Sequence, residues 1–200
     1  MKRIGVLAMQ GGFAEHIASL QRLAVDAIPV RLPGELTGLD GLVIPGGESS
    51  TISKLMRDYD MVETLRALIA QGFPMFGTCA GMVLQSKKVL GMDQQSLAAI
   101  DIEVRRNAFG RQVDSFEADI DVPVLGQLPF HAVFIRAPKI QHVGNDVEVL
   151  ATLPDGTAVA VREGNQLATA FHPELTADLR FHEYFLSLVD SKNHSENSLV

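Results

Sequence analysis

The sequence is poor in cysteine, in basic charge and in long apolar runs, and each shortage removes a class of function. Cys79 is the only cysteine, so no internal disulfide can form, which fits a reducing compartment. Acidic residues outnumber basic ones by 24 to 17, for a net charge of −7. A broad nucleic-acid or anionic-membrane footprint needs the opposite balance. The apolar run after Met1-Lys2-Arg3 ends at Met9 against Gln10-Gly11-Gly12. It is too short and badly flanked for a signal peptide. The most apolar longer window, residues 67–84, is broken by Gln71, Gly72, Pro74, Gly77 and Thr78, where a membrane span needs an unbroken run. The expectation is a cytoplasmic protein with neither a membrane nor a nucleic acid as partner. Metal-ligand spacing is missing as well. His16, His131, His142, His182 and His194 have no cysteine partners, so no zinc site is expected.

What is present suits a soluble globular chain. Of 200 residues, 46% are hydrophobic and 20% charged, enough apolar material for one sizeable core. No repeat or linker divides the sequence. The economical reading is a single domain over residues 1–190, with a polar, disordered tail over residues 191–200.

Apolar patterning sets the expected order of elements. Residues 4–9 and 41–44 are short, almost wholly apolar runs, as in parallel strands covered on both faces. Residues 27–32 read as another strand, placed at an edge by Pro29. Ile17, Leu20 and Leu23 lie on one face of a helix after Gly12, and Ser49, Ser50 and Thr51 can cap a second. A helix over residues 60–70, a buried strand over 73–76 and a helix from the next turn towards Lys88 follow. This is an α/β pattern with a mainly parallel sheet. Residues 100–104, 116–122, 132–136, 147–153, 157–162 and 166–171 alternate or run apolar between turn residues. They predict an antiparallel or mixed extension. Residues 179–189 read as a final amphipathic helix.

Three motifs carry chemistry. Gly77-Thr78-Cys79-Ala80-Gly81 is the cysteine form of a nucleophile elbow, a tight turn between strand and helix. Small neighbours permit the turn, the helix N-terminus favours a thiolate, and the Ala80 N–H is placed to donate to an oxyanion. A lone cysteine is more often buried and inert; the flanking glycines after a buried strand shift the balance. His172-Pro173-Glu174 offers a base and a group to orient it, as a thiolate nucleophile requires. In an extended chain residues two apart face one side. An isolated pair of this kind is more often structural, and the elbow makes it chemical. Pro45-Gly46-Gly47-Glu48-Ser49 follows the third strand and is either a plain tight turn or a loop whose N–H groups meet an anion. Its place at the carboxyl edge of a parallel sheet favours the second. Arg106 and Arg136 are either surface charges or holders of a substrate carboxylate.

Together these motifs resemble the class I, triad-type glutamine amidotransferases. The block from Arg106-Asn107-Ala108-Phe109-Gly110 through Asp114-Ser115-Phe116-Glu117, with Phe134-Ile135-Arg136-Ala137-Pro138, narrows the resemblance to glutaminase subunits of pyridoxal 5′-phosphate synthase. The resemblance spans the first strand to the last helix. It implies a three-layer α/β/α, flavodoxin-like domain that hydrolyses L-glutamine to glutamate and ammonia through a cysteine thioester. It implies Cys79 as nucleophile, His172 as base and acid, Glu174 as its orienting partner, and the N–H groups of Gly47 and Ala80 as the oxyanion hole. It assigns glutamine binding to Gly47, Glu48, Ser49, Arg106, Ile135 and Arg136. The implied partner is a barrel-shaped synthase subunit in a large hetero-oligomer, and this chain itself needs no cofactor or metal. Two stretches, Gly12-Phe13 and Gln94-Gln95-Ser96-Leu97-Ala98-Ala99, depart from the family's pattern. The competing readings are a glutaminase serving another synthase, or a catalytically silent regulatory subunit.

Overall fold

A computed structural model describes residues 2–106 and 115–197, the last five of these as backbone only. The first half of the chain runs β1 (Arg3–Leu7), α1 (Phe13–Arg22), β2 (Asp26–Val30), β3 (Gly41–Ile44), α2 (Ser49–Asp58), α3 (Met61–Ala70), β4 (Met75–Thr78) and α4 (Ala80–Gln85). The second half is mostly strand: β5 (Ser86–Leu90), β6 (Ile100–Arg105), β7 (Ser115–Ile120), β8 (Phe130–Ile135), β9 (Lys139–Val143), β10 (Glu148–Thr152), β11 (Ala158–Glu163) and β12 (Gln166–Thr169). α5 (Arg180–Asn197) closes it.

The main sheet has the order β10-β11-β12-β4-β3-β1-β2. From β2 to β12 every pairing is parallel, and β11 and β10 add an antiparallel wing. Pro29 does sit on the edge strand, where its missing N–H breaks no ladder. Two smaller sheets stand apart: β5-β6-β9, which is mixed, and the β7-β8 hairpin.

Side-chain alternation along the central strands sorts the helices into two layers. Phe76 meets Phe181 and Phe185 of α5 and the ring of His16 of α1. Its neighbour Gly77 points the other way, against Gln85 and Gly81 of α4. The same split appears on β3, where Gly41 lies under Phe185 and Val189 while Ile44 meets Gly81. So α1 and α5 cover one face, and α4, with α2 packed on it, covers the other. The apolar strands are buried because both faces are taken, and one contiguous core joins the main sheet to the smaller ones.

Four local expectations change. The helix after Cys79 ends at Gln85 rather than near Lys88. The Ser86 hydroxyl donates to the Val83 carbonyl, Ser86 turns extended, and the chain continues as β5. Lys87 and Lys88 then pair with Asp101 and Glu103 across to β6. β9 lies between two expected strands and carries little apolar signal, with Gln141 and His142 exposed. The cap of α2 is the Glu48 carboxylate, which accepts from the Thr51 N–H, so Ser49, Ser50 and Thr51 are already helical. Finally, α5 continues past residue 190 to Asn197. Lys2 pairs with Asp190, and Lys192 lies over the Phe73 ring, so the helix keeps contacts beyond the expected end.

Candidate active site

The carboxyl ends of the parallel strands meet at one cleft of about 240 Å³. β4 ends at Thr78, and Cys79 follows with φ +49° and ψ −102°. A non-glycine residue reaches this left-handed region only when its surroundings impose it. Here the Cys79 N–H is bonded to the Thr169 carbonyl of β12 at 2.8 Å, which anchors the turn to the sheet. An added Cβ on Gly77 would run into Gln85 and Gly81, and one on Gly81 into the Ile44 carbonyl. The elbow therefore needs glycine on both sides for space. Cys79 is 7% exposed, and its sulfur lies 3.8 Å from the Ile135 carbonyl.

His172 follows β12 and is held by its N–H to the Val133 carbonyl of β8 at 2.9 Å. Its Nδ1 lies 2.7 Å from Glu174 Oε1. The pair comes together through a 3-10 turn, Pro173–Leu175, with His172 as its cap, rather than through the extended geometry expected. The His172 ring keeps 12% exposure while the Glu174 side chain is sealed at 1%. Burial opposes a charge on His172, but hydrogen bonds to Cys79 and Glu174, with their negative charge, outweigh it and raise its pKa to about 10. Burial likewise opposes the Glu174 carboxylate, and His16 and His172 outweigh it, so that its pKa is lowered.

The glycine loop after β3 closes another side. Gly46 packs so closely on His172 that any side chain there would strike the ring. The Gly46 carbonyl accepts from the Gly12 N–H at 3.0 Å. In a trans peptide the Gly47 N–H then points the opposite way. Gln10, after β1, accepts from the Glu48 N–H at 2.7 Å.

The remaining wall comes from outside the parallel sheet. Arg106, just beyond β6, pairs with Glu48. Ile135 and Arg136 lie at the end of β8, and Arg136 stands exposed with φ +43°. Burial works against the Glu48 carboxylate. Hydrogen bonds from Ser50 and Thr51 and the Arg106 charge prevail and lower its pKa to about 2. Gly47, Glu48, Ser49, Cys79, Ala80, Arg106, Ile135, Arg136 and His172 all line the cleft, with Glu174 directly behind His172. Residues 107–114, which carry part of the narrowing motif, lie outside the described residues.

The Gln10-Gly11-Gly12 loop, expected at this same sheet edge, brings Gln10 to the cleft. Two further participants were not picked out from the sequence. Gln94 accepts from Ser49 at 3.1 Å and from Arg106 at 3.4 Å, so the unusual 94–99 segment reaches two cleft-lining residues. His16 is fully buried against Glu174. For Gln10 the signal was its place before Gly11-Gly12 at a strand end; for the other two no local pattern existed.

Residues 6–191, which contain the elbow, the histidine–glutamate pair and the glycine loop, match the profile of the SNO glutamine amidotransferase family. The chain belongs to the SNO glutamine amidotransferase family. Its relatives include "Pyridoxal 5′-phosphate synthase subunit PdxT" of Moorella thermoacetica, 57% identical over 187 residues, covering 94% of this chain and 99% of that one. The protein of the same name from Corynebacterium jeikeium is 57% identical over 196 residues, covering 94% and 97%. Among solved structures, one described as a glutamine amidotransferase superposes with a TM-score of 0.89 at 49% identity, covering 94% of this chain and 98% of that one. A Thermoplasma acidophilum protein described as a putative GMP synthase component shares the fold at a TM-score of 0.69 and 19% identity, covering 98% of each chain. The mainly parallel sheet expected from the apolar runs is thus the family's own. Among the described residues no cluster of His, Cys, Asp and Glu could hold a metal ion, and no helix is long and apolar enough to cross a membrane.

Proposed function

We propose that this glutamine amidotransferase hydrolyses L-glutamine to L-glutamate and ammonia and passes the ammonia to the synthase subunit that makes pyridoxal 5′-phosphate. The observation that carries this is the constellation itself: Cys79 on a strained elbow, against a His172 whose far nitrogen is held by a buried Glu174. Relatives of more than half identity, named as subunits of that synthase, support the pathway.

The geometry supports the following reaction. The Cys79 thiolate attacks the side-chain carboxamide carbon of glutamine, and the N–H groups of Gly47 and Ala80 receive the developing oxyanion. The His172 imidazolium gives its proton to the leaving nitrogen, and ammonia departs from a glutamyl thioester. Neutral His172 then takes a proton from water, whose attack on the thioester returns glutamate and the Cys79 thiolate. Glu174 keeps the His172 Nδ1–H in place throughout. Glu48, Ser49, Arg106, Ile135 and Arg136 hold the amino-acid end of the substrate, the arginines being suited to its carboxylate. No cofactor is needed, because thiol, base and oxyanion donors complete the chemistry. The partner is a barrel-shaped subunit in a hetero-oligomer, and the setting is the cytoplasm.

The test is ammonia release from glutamine by the chain alone and with a pyridoxal 5′-phosphate synthase subunit. Release that rises with the synthase and disappears in Cys79→Ala is expected. Folded protein that releases nothing with or without the synthase would return the chain to a silent regulatory subunit.

A further inference from the structure

Behind the histidine–glutamate pair lies a second layer of polar groups that the reaction above does not use. His16 of α1 is wholly buried. Its Nε2 lies 3.0 Å from Thr78 Oγ1 and 3.3 Å from Glu174 Oε2. Its Nδ1 lies 3.0 Å from Nε2 of His182, which is also wholly buried, on α5. Thr78 Oγ1 in turn accepts from the Gly46 N–H at 3.1 Å. One imidazole therefore sits between the oxygen of Glu174 that does not face His172, the residue before Cys79, and the loop that carries Gly47.

Proton placement in this layer can be worked out. Burial keeps both histidines neutral: it lowers the pKa of His16, with Glu174 opposing, and lowers that of His182 to about 3. Each ring then has one N–H to place. If His16 carries it on Nδ1, that N–H points at His182 Nε2, and the His182 N–H must sit on Nδ1. His182 Nδ1 has no partner, so a buried donor is stranded. Glu174 Oε2, which has no hydrogen-bond partner, then faces a ring lone pair 3.3 Å away as well. If His16 carries it on Nε2, the N–H is directed to Thr78 Oγ1 with Glu174 Oε2 3.3 Å away, and His182 Nε2–H donates to His16 Nδ1. The Thr78 hydroxyl, which donates to His16 Nε2 in the first arrangement, then loses that acceptor, so each arrangement leaves one buried donor unmet. The charged Oε2 separates them: it faces an N–H in the second and a lone pair in the first, and a bare buried charge is the costlier.

We infer that His16 is a positioning residue for the glutaminase reaction: as the Nε2–H tautomer it holds the second carboxylate oxygen of Glu174, so that the first is fixed on His172. The inference rests on Glu174 being the group that orients His172. It assigns His16 no contact with substrate. It also explains why two buried histidines bonded to each other lie beneath a cleft that neither of them lines.

Two near-isosteres separate the ring's two edges. In His16→Gln the amide nitrogen reaches the position of Nε2 and keeps a donor for Glu174. In His16→Asn it reaches only the position of Nδ1. Expected is a kcat about ten- to hundredfold lower for His16→Asn, with the glutamine KM little changed, and substantial recovery in His16→Gln. In a Glu174→Ala background the His16→Asn loss should vanish, since there is no longer a carboxylate to hold. Equal kcat in the two His16 variants, or an undiminished loss in the double variant, would overturn the inference. Nitrogen-15 shifts of the wild-type imidazoles provide a measurement independent of whether the variants fold. A neutral His16 protonated at Nε2 is expected, and protonation at Nδ1 counts against it. The reading beneath is judged separately. Wild-type protein without glutaminase activity, or Glu174→Ala at full activity, would remove that reading and the inference with it.

Discussion

The carboxyl ends of β1, β3, β4 and β12 bring Gln10, Gly47, Cys79 and His172 to the cleft, whereas the smaller sheets bring Arg106 just beyond β6, Ile135 at the end of β8 and Arg136 just after it. The two contributions differ in kind. The parallel strands are covered on both faces, and their groups are tied to backbone and to one another: Cys79 to Thr169, His172 to Glu174, Gly46 to Thr78. The outer wall is more exposed at Arg136, and Arg106 is half-buried against Glu48. In the proposed reaction, bonds are broken where positions are most rigid, and substrate is held by the more exposed wall.

The sharpest way to break this division is to cut each side in turn. Cys79→Ala removes the proposed nucleophile and should lower kcat by roughly 10⁴-fold or more. Glu174→Ala leaves the nucleophile but frees His172, with an expected loss of roughly 10² to 10⁴-fold in kcat and little change in KM. Arg136→Ala and Arg106→Ala should do the reverse. Losing a hydrogen bond to a charged group corresponds to about 1.5–3 kcal/mol, hence roughly ten- to hundredfold in KM with kcat nearly preserved. Steady-state ammonia release over a range of glutamine concentrations checks all four. An arginine variant that loses kcat as heavily as Glu174→Ala would erase the distinction.

A smaller effect concerns the charge on His172. Its pKa is raised from 6.5 to about 10, against burial, by Cys79 and Glu174. A raised value means that the folded state binds the proton more tightly than the unfolded one. The resulting stabilisation is fully present below pH 6.5 and is lost as pH rises through about 10. Following the His172 ring by NMR should show no deprotonation between about pH 6 and 8. Because Cys79 is one of the raising groups, Cys79→Ala should bring the transition down. A wild-type ring that titrates near 6.5 would mean that the two are not paired as described.

How far the sequence alone discloses this molecule depends on the same division. The buried parallel strands were readable because both faces are covered, so residues 41–44 form an unbroken apolar run matching β3 residue for residue. Cys79, His172 and Gly47 were readable because each sits in a local pattern at a strand end. β5 and β9 were not: their exposed lysines, Gln141 and His142 carry no apolar alternation, and pairing with β6 decides their state. The same holds for the inner layer. His16 and His182 are 166 positions apart in the chain and meet only because α1 and α5 cover one face of the sheet. No spacing rule reaches across that distance, and read singly each is an ordinary histidine on a helix.

The smallest expected effect lies at the seam between the two regions, on Glu48. One carboxylate oxygen caps α2 through the Thr51 N–H at 3.0 Å, and the other pairs with Arg106 of the outer wall. Its pKa falls from 4.5 to about 2 despite partial burial. A lowered value makes the contribution present above pH 4.5 and lost as pH falls through about 2. Removing a cap costs about 1 kcal/mol, and in a chain of this size that corresponds to roughly 2–4 °C in Tm. Glu48→Ala should therefore lower Tm by that amount near pH 7 and by less at about pH 3, where the carboxylate contribution is already shrinking. KM for glutamine should rise in the same variant, because Arg106 loses the carboxylate that positions it. A Tm deficit unchanged between the two pH values would detach Glu48's stabilising role from its charge and leave only a packing contribution. A fall in Tm with KM unchanged would confine Glu48 to the helix end and remove it from the substrate wall.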